Sequence, residues 1–261
     1  MLSASSMLPA ARALALEIQA LALPQACLGC EQELRAVDEP EGLCALCRHR
    51  MRRIGPPVCR RCGQPLDRWS VQWQTAKAEA GAGHCEFCAA WPRELAWAVS
   101  AVWLEEGPAR NLVFALKYGG WRIAARSMAT VVAAELAPRL RALDALVPVP
   151  LGRTRLRERG HNQAAVLADA VGRAEGIRVL HGSLVRVRET RTQTRLDPAG
   201  RWDNTRGAFA ASGETLGGMH VALVDDVVTT GATLGAAAQA LAGLGTASIG
   251  AVTFARALVP S

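Results

Sequence analysis

The chain has 261 residues, half of them hydrophobic, with 30 cationic against 23 acidic side chains and a formal net charge of +7. That is too apolar for a disordered chain, and long enough for one large domain or a medium domain with a small one beside it. No apolar run reaches the roughly 18 residues of a membrane-spanning helix, and the positive excess suits an anionic partner, whether phosphates on a small molecule or a nucleic acid.

Residues 1–26 are rich in Ala and Leu but lack a basic start, and Arg12 and Glu17 interrupt the apolar run. They read as a short amphipathic helix packed on the rest of the protein, not as a secretory leader. The expected location is therefore cytoplasmic. All eight cysteines follow before position 89, in four C-x-x-C pairs: Cys27/Cys30, Cys44/Cys47, Cys59/Cys62 and Cys85/Cys88. Each pair puts two thiolates on one tight knuckle, and two knuckles close a tetrahedral zinc site. Thirteen residues separate the first two pairs and 22 the last two, both close to zinc-ribbon spacing. Sequential pairing gives two structural zincs; interleaved pairing or one degenerate site stays open. His49 and His84 lie beside cysteines and are spare ligands. Disulfides would need an oxidising compartment, and redox chemistry would need only one pair. Ser70 to Gly83 reads as a loop in the second ribbon. With few helix or strand patterns, this segment would draw much of its folding energy from metal. The confinement of cysteine to one end argues for two domains: a helix and double zinc-ribbon module over 1–95, and a second domain over 96–261.

From Trp91 the texture changes. Ala96 to Leu104 is strand-like. Pro108 starts a helix through Leu116 that ends at Lys117-Tyr118-Gly119-Gly120. Ile123 to Leu136 is a second helix, stopped by Pro138. Asp144 to Pro150 is a short buried strand, and Asn162 to Glu175 is helical. Val179 to Val187 reads as strand, Arg188 to Arg206 as a long polar connection, and Ala208 to Ala211 as strand. His220 to Val224, a helix over 232–243 and a strand from Ser248 to Phe254 close the chain. Strands alternating with helices predict an α/β fold with a doubly wound, mostly parallel sheet. Such sheets bind ligands at the carboxyl ends of their strands.

The most informative stretch is Val221 to Thr233. Four apolar residues lead into Asp225 and Asp226, then Val227, Val228, Thr229, Thr230, Gly231, Ala232 and Thr233, where an Ala/Leu-rich helix begins. A hydroxyl-rich loop between strand and helix offers free N–H groups and the helix dipole to a phosphate, and Gly231 lets the backbone come close. The carboxylates suit something else: the two hydroxyls of a ribose, or a divalent cation. A sugar phosphate with a vicinal diol, bound with magnesium, satisfies both halves; an acidic helix cap is the plainer alternative.

Two more constellations accompany it. Leu151 to Gln163 crowds Arg153, Arg155, Arg157 and Arg159 into one predicted loop, followed by Gly160, His161, Asn162 and Gln163. Guanidinium groups grip phosphates bidentately, so this loop suits a diphosphate and the charge of its departure; a solvated basic loop is the alternative. Thr190 to Arg206, with Thr192, Gln193, Arg201 and Asn204, is long for a connection and reads as a lid.

The Val221–Thr233 stretch resembles the phosphoribosyl pyrophosphate (PRPP) motif of type I phosphoribosyltransferases. With the four C-x-x-C pairs, Leu116-Lys117-Tyr118, Pro148-Val149-Pro150, Arg159 to Gln163, and Thr192-Gln193 with Asn204, nearly the whole chain resembles the ComF family of bacterial proteins. The resemblance implies a zinc module followed by a phosphoribosyltransferase-like domain. It implies that Asp225 and Asp226 contact the ribose hydroxyls, that Thr229 to Thr233 wrap the 5′-phosphate, and that Lys117 and the Arg153–Arg159 loop face the pyrophosphate. It departs at His161, where the family usually has phenylalanine. Two functions follow from it. One is a phosphoribosyltransferase, a glycosyltransferase using PRPP with magnesium on an unknown acceptor, associated with DNA uptake in natural competence. The other is a non-catalytic PRPP sensor or single-stranded-DNA-binding accessory of the import machinery, working with a competence helicase. For stacking on DNA, Trp69, Trp73 and Trp202 lie in polar stretches and are the better candidates.

Overall fold

Five strands form one parallel sheet in the order β1-β7-β6-β2-β3. They are β1 (Leu95–Trp103), β2 (Ala145–Pro148), β3 (Arg178–Val179), β6 (His220–Val228) and β7 (Ser248–Arg256). A separate antiparallel ribbon pairs β4 (Leu184–Arg186) with β5 (Phe209–Ala211). The structure is a computed structural model describing residues 26–34, 42–66, 85–189 and 198–257, with side chains omitted at 198–201. The expected N-terminal helix, the Ser70–Gly83 loop, His84, Trp69, Trp73, Thr192 and Gln193 lie outside the described residues.

The inner strands are buried on both faces, so their sequences are nearly continuous apolar runs. Alternate residues feed two cores. Leu146, Ala222, Val224, Val252 and Phe254 pack with α3 (Pro108–Tyr118), α4 (Arg122–Leu140) and α6 (Gln163–Glu175). Ala145, Val147, Val221, Leu223, Ile249 and Ala251 pack on the other face with α8 (Ala232–Ala242). Chain order runs outward from β2 to β3 on one side and from β6 to β7 on the other. The sheet therefore has its switch point between β2 and β6, where a crevice opens at the strand ends.

The cysteine-rich segment, with α1 (Ala45–Arg50) and α2 (Glu86–Ala89), lies along the outer edge of β1. Arg53 bridges antiparallel to Val102, Ala98 N–H donates to Arg61 O at 2.7 Å, and Trp103 N–H donates to Arg52 O at 2.9 Å. These bonds cover an edge that would otherwise be open. Among the described residues no helix is long and apolar enough to cross a membrane.

The structure departs from the sequence expectations in five places. Helix α4 runs through Pro138; the missing N–H would have faced Ala134, which is exposed, so that carbonyl can turn to water. The Val179–Val187 strand is two strands in two sheets, split by a turn at Gly182 with φ +87°. Arg153–Arg159 is not a loop but helix α5, and the polar connection contains helix α7 (Pro198–Thr205). Finally, β6 continues to Val228, so Asp225 and Asp226 belong to the strand and point to opposite faces.

Candidate functional site

A cavity of about 540 Å³ lies at the switch point, over the ends of β2 and β6. Asp226 stands at its floor, 2 % exposed, on the face covered by α3 and α6. Lys117 Nζ, from the last turn of α3, is 2.7 Å from its Oδ2, and Gln163 Nε2 donates toward its Oδ1 at 3.5 Å. Burial alone would push the Asp226 carboxyl up, but the Lys117 ammonium holds it below the usual carboxylate range. Lys117 responds in kind: burial would lower it, yet Asp226 raises it above the usual lysine value. At Asp225 the Lys117 charge acts in the same direction but is outweighed. Burial first, then the charge of Asp226, lift its carboxyl well above the ordinary value. Its Oδ1 accepts the Asp226 N–H at 2.8 Å. One acid is thus favoured as the paired carboxylate, and its neighbour is easier to protonate than an ordinary aspartate.

Beyond β6 the chain turns at Gly231, φ +83°, into α8. Thr229, Gly231, Ala232 and Thr233 line the cavity with Val227 and Val228. Thr230 does not. It is buried behind the turn, where its Oγ1 accepts the Ala232 N–H at 3.4 Å and its carbonyl accepts the Trp91 indole N–H at 2.9 Å.

The arginines sort by helical geometry. Arg155 and Arg159, four apart on α5, line the cavity with Glu158, whereas Arg153 and Arg157 do not. Glu189 Oε1 accepts the Thr154 N–H at 3.3 Å in the first turn of α5, and Gly160, φ +72°, ends the helix in a conformation that favours glycine. Asn162 serves the scaffold: its side chain accepts the Ala164 N–H at 3.1 Å to cap α6 and donates to Val149 O at 3.0 Å. Gln163 Oε1 accepts from Arg159 at 3.1 Å, which completes a chain Lys117–Asp226–Gln163–Arg159. The His161 ring nitrogens lie 2.9 Å from Arg159 O and 2.7 Å from Leu116 O, so this side chain pins α3 to the turn after α5 by polar contacts.

Three polar lining residues were missed. Tyr118 stacks under the Arg159 guanidinium, 5.0 Å from ring centroid to Cζ. Glu158, next to Arg159 on α5, brings a negative charge to the lining. Arg186 comes from β4, and burial, then the charge of Arg155, holds its guanidinium below its usual value. Nothing local marks it, because the ribbon that delivers it forms through a distant pairing. Of the lid candidates, Asn204 lies in α7 outside the cavity lining, its carbonyl accepting from Arg188 at 3.1 Å. The side chain of Arg201 is outside the description. Trp202 is no exposed platform: its ring lies where a Cβ on Gly235 would come within 2.8 Å of it.

The eight cysteines gather as Cys27, Cys30, Cys44, Cys47 and as Cys59, Cys62, Cys85, Cys88. Pairing is therefore sequential, and His49 belongs to neither cluster. Sulfur separations of 3.9 Å (Cys30–Cys44), 3.8 Å (Cys59–Cys88), 3.7 Å (Cys85–Cys88) and 3.4 Å (Cys62–Cys85) are near the ~3.8 Å edge of a tetrahedron with ~2.3 Å zinc–sulfur bonds. They are far from a disulfide at about 2.05 Å. Gly29 and Cys44 N–H groups each donate to Cys27 Sγ at 3.3 Å, an arrangement that favours thiolate. Both clusters fit structural zinc.

Comparison with known proteins agrees with this architecture. Residues 18–90 match the double zinc ribbon domain, and residues 124–259 match the phosphoribosyl transferase domain. Competence protein F of Haemophilus influenzae is 31 % identical over 88 % of this chain and 96 % of its own length. DNA utilization protein YhgH of Escherichia coli K12 is 29 % identical over 80 % of this chain and 87 % of its own. Competence protein ComFC of Bacillus subtilis is 36 % identical over 42 % of this chain and 44 % of its own. The chain belongs to the ComF family. In this ComF-family protein the matched domains are joined by β1, which carries the cysteine segment on one edge and pairs with β7 on the other.

Proposed function

We propose that this ComF-family protein binds PRPP with magnesium in the crevice between β2 and β6 and transfers its phosphoribosyl group. The reading rests on one observation: two adjacent carboxyl groups, one of them paired with Lys117, and a glycine turn at a helix start all open into one cavity. Asp225 and Asp226 accept the ribose hydroxyls. Thr229 and Gly231 to Thr233 surround the 5′-phosphate. Arg155 and Arg159 take the pyrophosphate, in place of Arg153 and Arg157, with Lys117 beside them. Magnesium, bound with the pyrophosphate, would spread its charge. An acceptor attacks C1′, the bond from C1′ to the pyrophosphate oxygen breaks, and the arginines stabilise the departing charge. The cavity volume falls in the range of small-molecule sites, about 300–1,000 Å³. We take residue 95/96 as the boundary between ribbons and transferase domain, and the cytoplasm as the location, since reducing conditions keep thiols available for metal.

The test is pyrophosphate release from PRPP and magnesium across a panel of nucleobases and amines, with Asp225→Asn/Asp226→Asn as control. The expected result is heat on titrating PRPP, acceptor-dependent release, and loss of both in the double variant. No heat with the metal-loaded protein would overturn the reading.

A second reading, a nucleic-acid contact with PRPP as signal, is favoured by a surface ladder. Phe114 and Tyr118 are 49 % and 67 % exposed with rings 5.4 Å apart, Arg110 lies 5.4 Å over Phe114, and Arg159 caps Tyr118 at the cavity mouth. Exposed rings interleaved with guanidinium suit stacked bases of single-stranded DNA. The names of the relatives, competence and DNA utilization, point the same way. This reading predicts PRPP binding without turnover, and DNA affinity that falls steeply with salt and is lost in Phe114→Ala/Tyr118→Ala.

A further inference from the structure

Trp91 follows the last ligand pair of the second cluster by three residues, and its N–H donates to Cys88 O at 3.1 Å. It is 4 % exposed. Arg61, from the opposite knuckle, donates to Cys88 O at 2.9 Å, Pro92 O at 2.8 Å and Leu95 O at 3.1 Å. The two knuckles are thus tied together around the Trp91 backbone. The indole reaches across to the other wall of the molecule. Its Nε1–H donates to the Thr230 carbonyl at 2.9 Å, and its ring fills the space at Gly231, where an added Cβ would lie 2.5 Å away.

We infer that Trp91 is a positioning residue that fixes the Thr230–Gly231 turn from the second zinc ribbon and so sets the affinity of the cavity for a phosphate ester. This rests on the sugar-phosphate reading above. A carbonyl oxygen tied to an indole cannot swing toward the cavity, where its partial negative charge would repel an anion. The flat ring also supports a turn with positive φ that has no side chain of its own. Phenylalanine fills most of that space but cannot donate, which separates the two contributions. The metal enters only by shaping the knuckle that carries the indole.

The experiment compares full-length, zinc-loaded wild type with Trp91→Phe. Calorimetry with ribose 5-phosphate is expected to show about tenfold weaker binding in the variant, the worth of one buried hydrogen bond. Amide exchange at Gly231 to Thr233 without ligand is expected to speed up by a similar factor, at unchanged zinc content. In wild type, the Trp91 indole N–H resonance is expected to shift on adding ribose 5-phosphate, a signature that a ring serving only the core would not give. Affinity within twofold, unchanged exchange, or an unmoved resonance despite binding each overturns the inference. If wild type does not bind ribose 5-phosphate or PRPP, the sugar-phosphate reading falls, and the exchange measurement alone still decides whether Trp91 holds the turn. Should Trp91→Phe fail to fold, the wild-type resonance decides.

Discussion

The two four-thiol clusters are built from the same knuckle and sit in different surroundings. In the first, Cys30 and Cys44 are half-buried, and one of the ties to the rest of the protein is the Asn111 side chain donating to Gly29 O at 2.9 Å. In the second, all four thiols are buried, and Arg61 and Arg256 are buried beside them. Arg256, at the end of β7, donates to the Cys62 carbonyl and to Gln64 Oε1 at 3.4 Å, with its guanidinium 5.3 Å over Phe87. A zinc held by four thiolates is net negative, so this buried cation answers a buried anion. Burial lowers the Arg256 pKa, while the surrounding thiols act the other way. The lesson is that ligand spacing identifies a metal site but not its job: one cluster braces the start of α3, the other is part of the core beneath the Thr230–Gly231 turn.

Metal removal gives the largest effect. Structural zinc contributes on the order of 10 kcal/mol to small domains. A chelator titration followed by a thiol-release dye is expected to empty the half-buried first cluster early with the sheet intact, and the second only with global unfolding. Release of both in one step would erase the distinction. Next comes Arg256→Met, which takes one of two buried cations from beside the second metal site. We expect a loss of about 3–5 kcal/mol in urea melts and a fall in zinc content from the second cluster alone.

A third effect separates stability from binding at the two acids of β6. Asp225 holds its proton more tightly folded than unfolded, so as pH rises from the ordinary carboxylate range through its raised folded value, stability falls. Asp226 has the opposite sign: its contribution is present above the unfolded value and is lost as pH falls through its lowered folded value. Asp225→Asn is therefore expected to flatten that decline in ligand-free urea melts and to abolish PRPP heat. Retained binding would remove Asp225 from the site. The smallest effect is Asn111→Ala, about 1 kcal/mol, expected to speed zinc release from the first cluster and leave the second unchanged.

Much of this was legible in the chain. The apolar runs at Val221 and Ile249 and the cysteine spacing carried the parallel sheet and the ribbons, because those signals are local. The errors fall where a distant partner decides. Arg153–Arg159 folds as a helix with a first turn that leans on Glu189, 35 residues on, and the 3.6-residue period then turns Arg155 rather than Arg153 into the cavity. The strand β6 carries on across two adjacent acids, with Lys117 paired to Asp226 and burial raising the Asp225 carboxyl. Trp202 sits among polar neighbours in sequence, but the site that receives its ring, Gly235, lies on α8.

The backbone bonds from Arg52, Arg53 and Arg61 to β1 carry one last consequence. The ribbons precede that strand in the chain and so leave the ribosome first. Starved of zinc, a newly made molecule would present β1 bare, with Ala98 and Trp103 amides seeking carbonyls on a neighbouring copy. Metal supply would then govern how much of the protein stays out of aggregates, before any ligand meets its crevice.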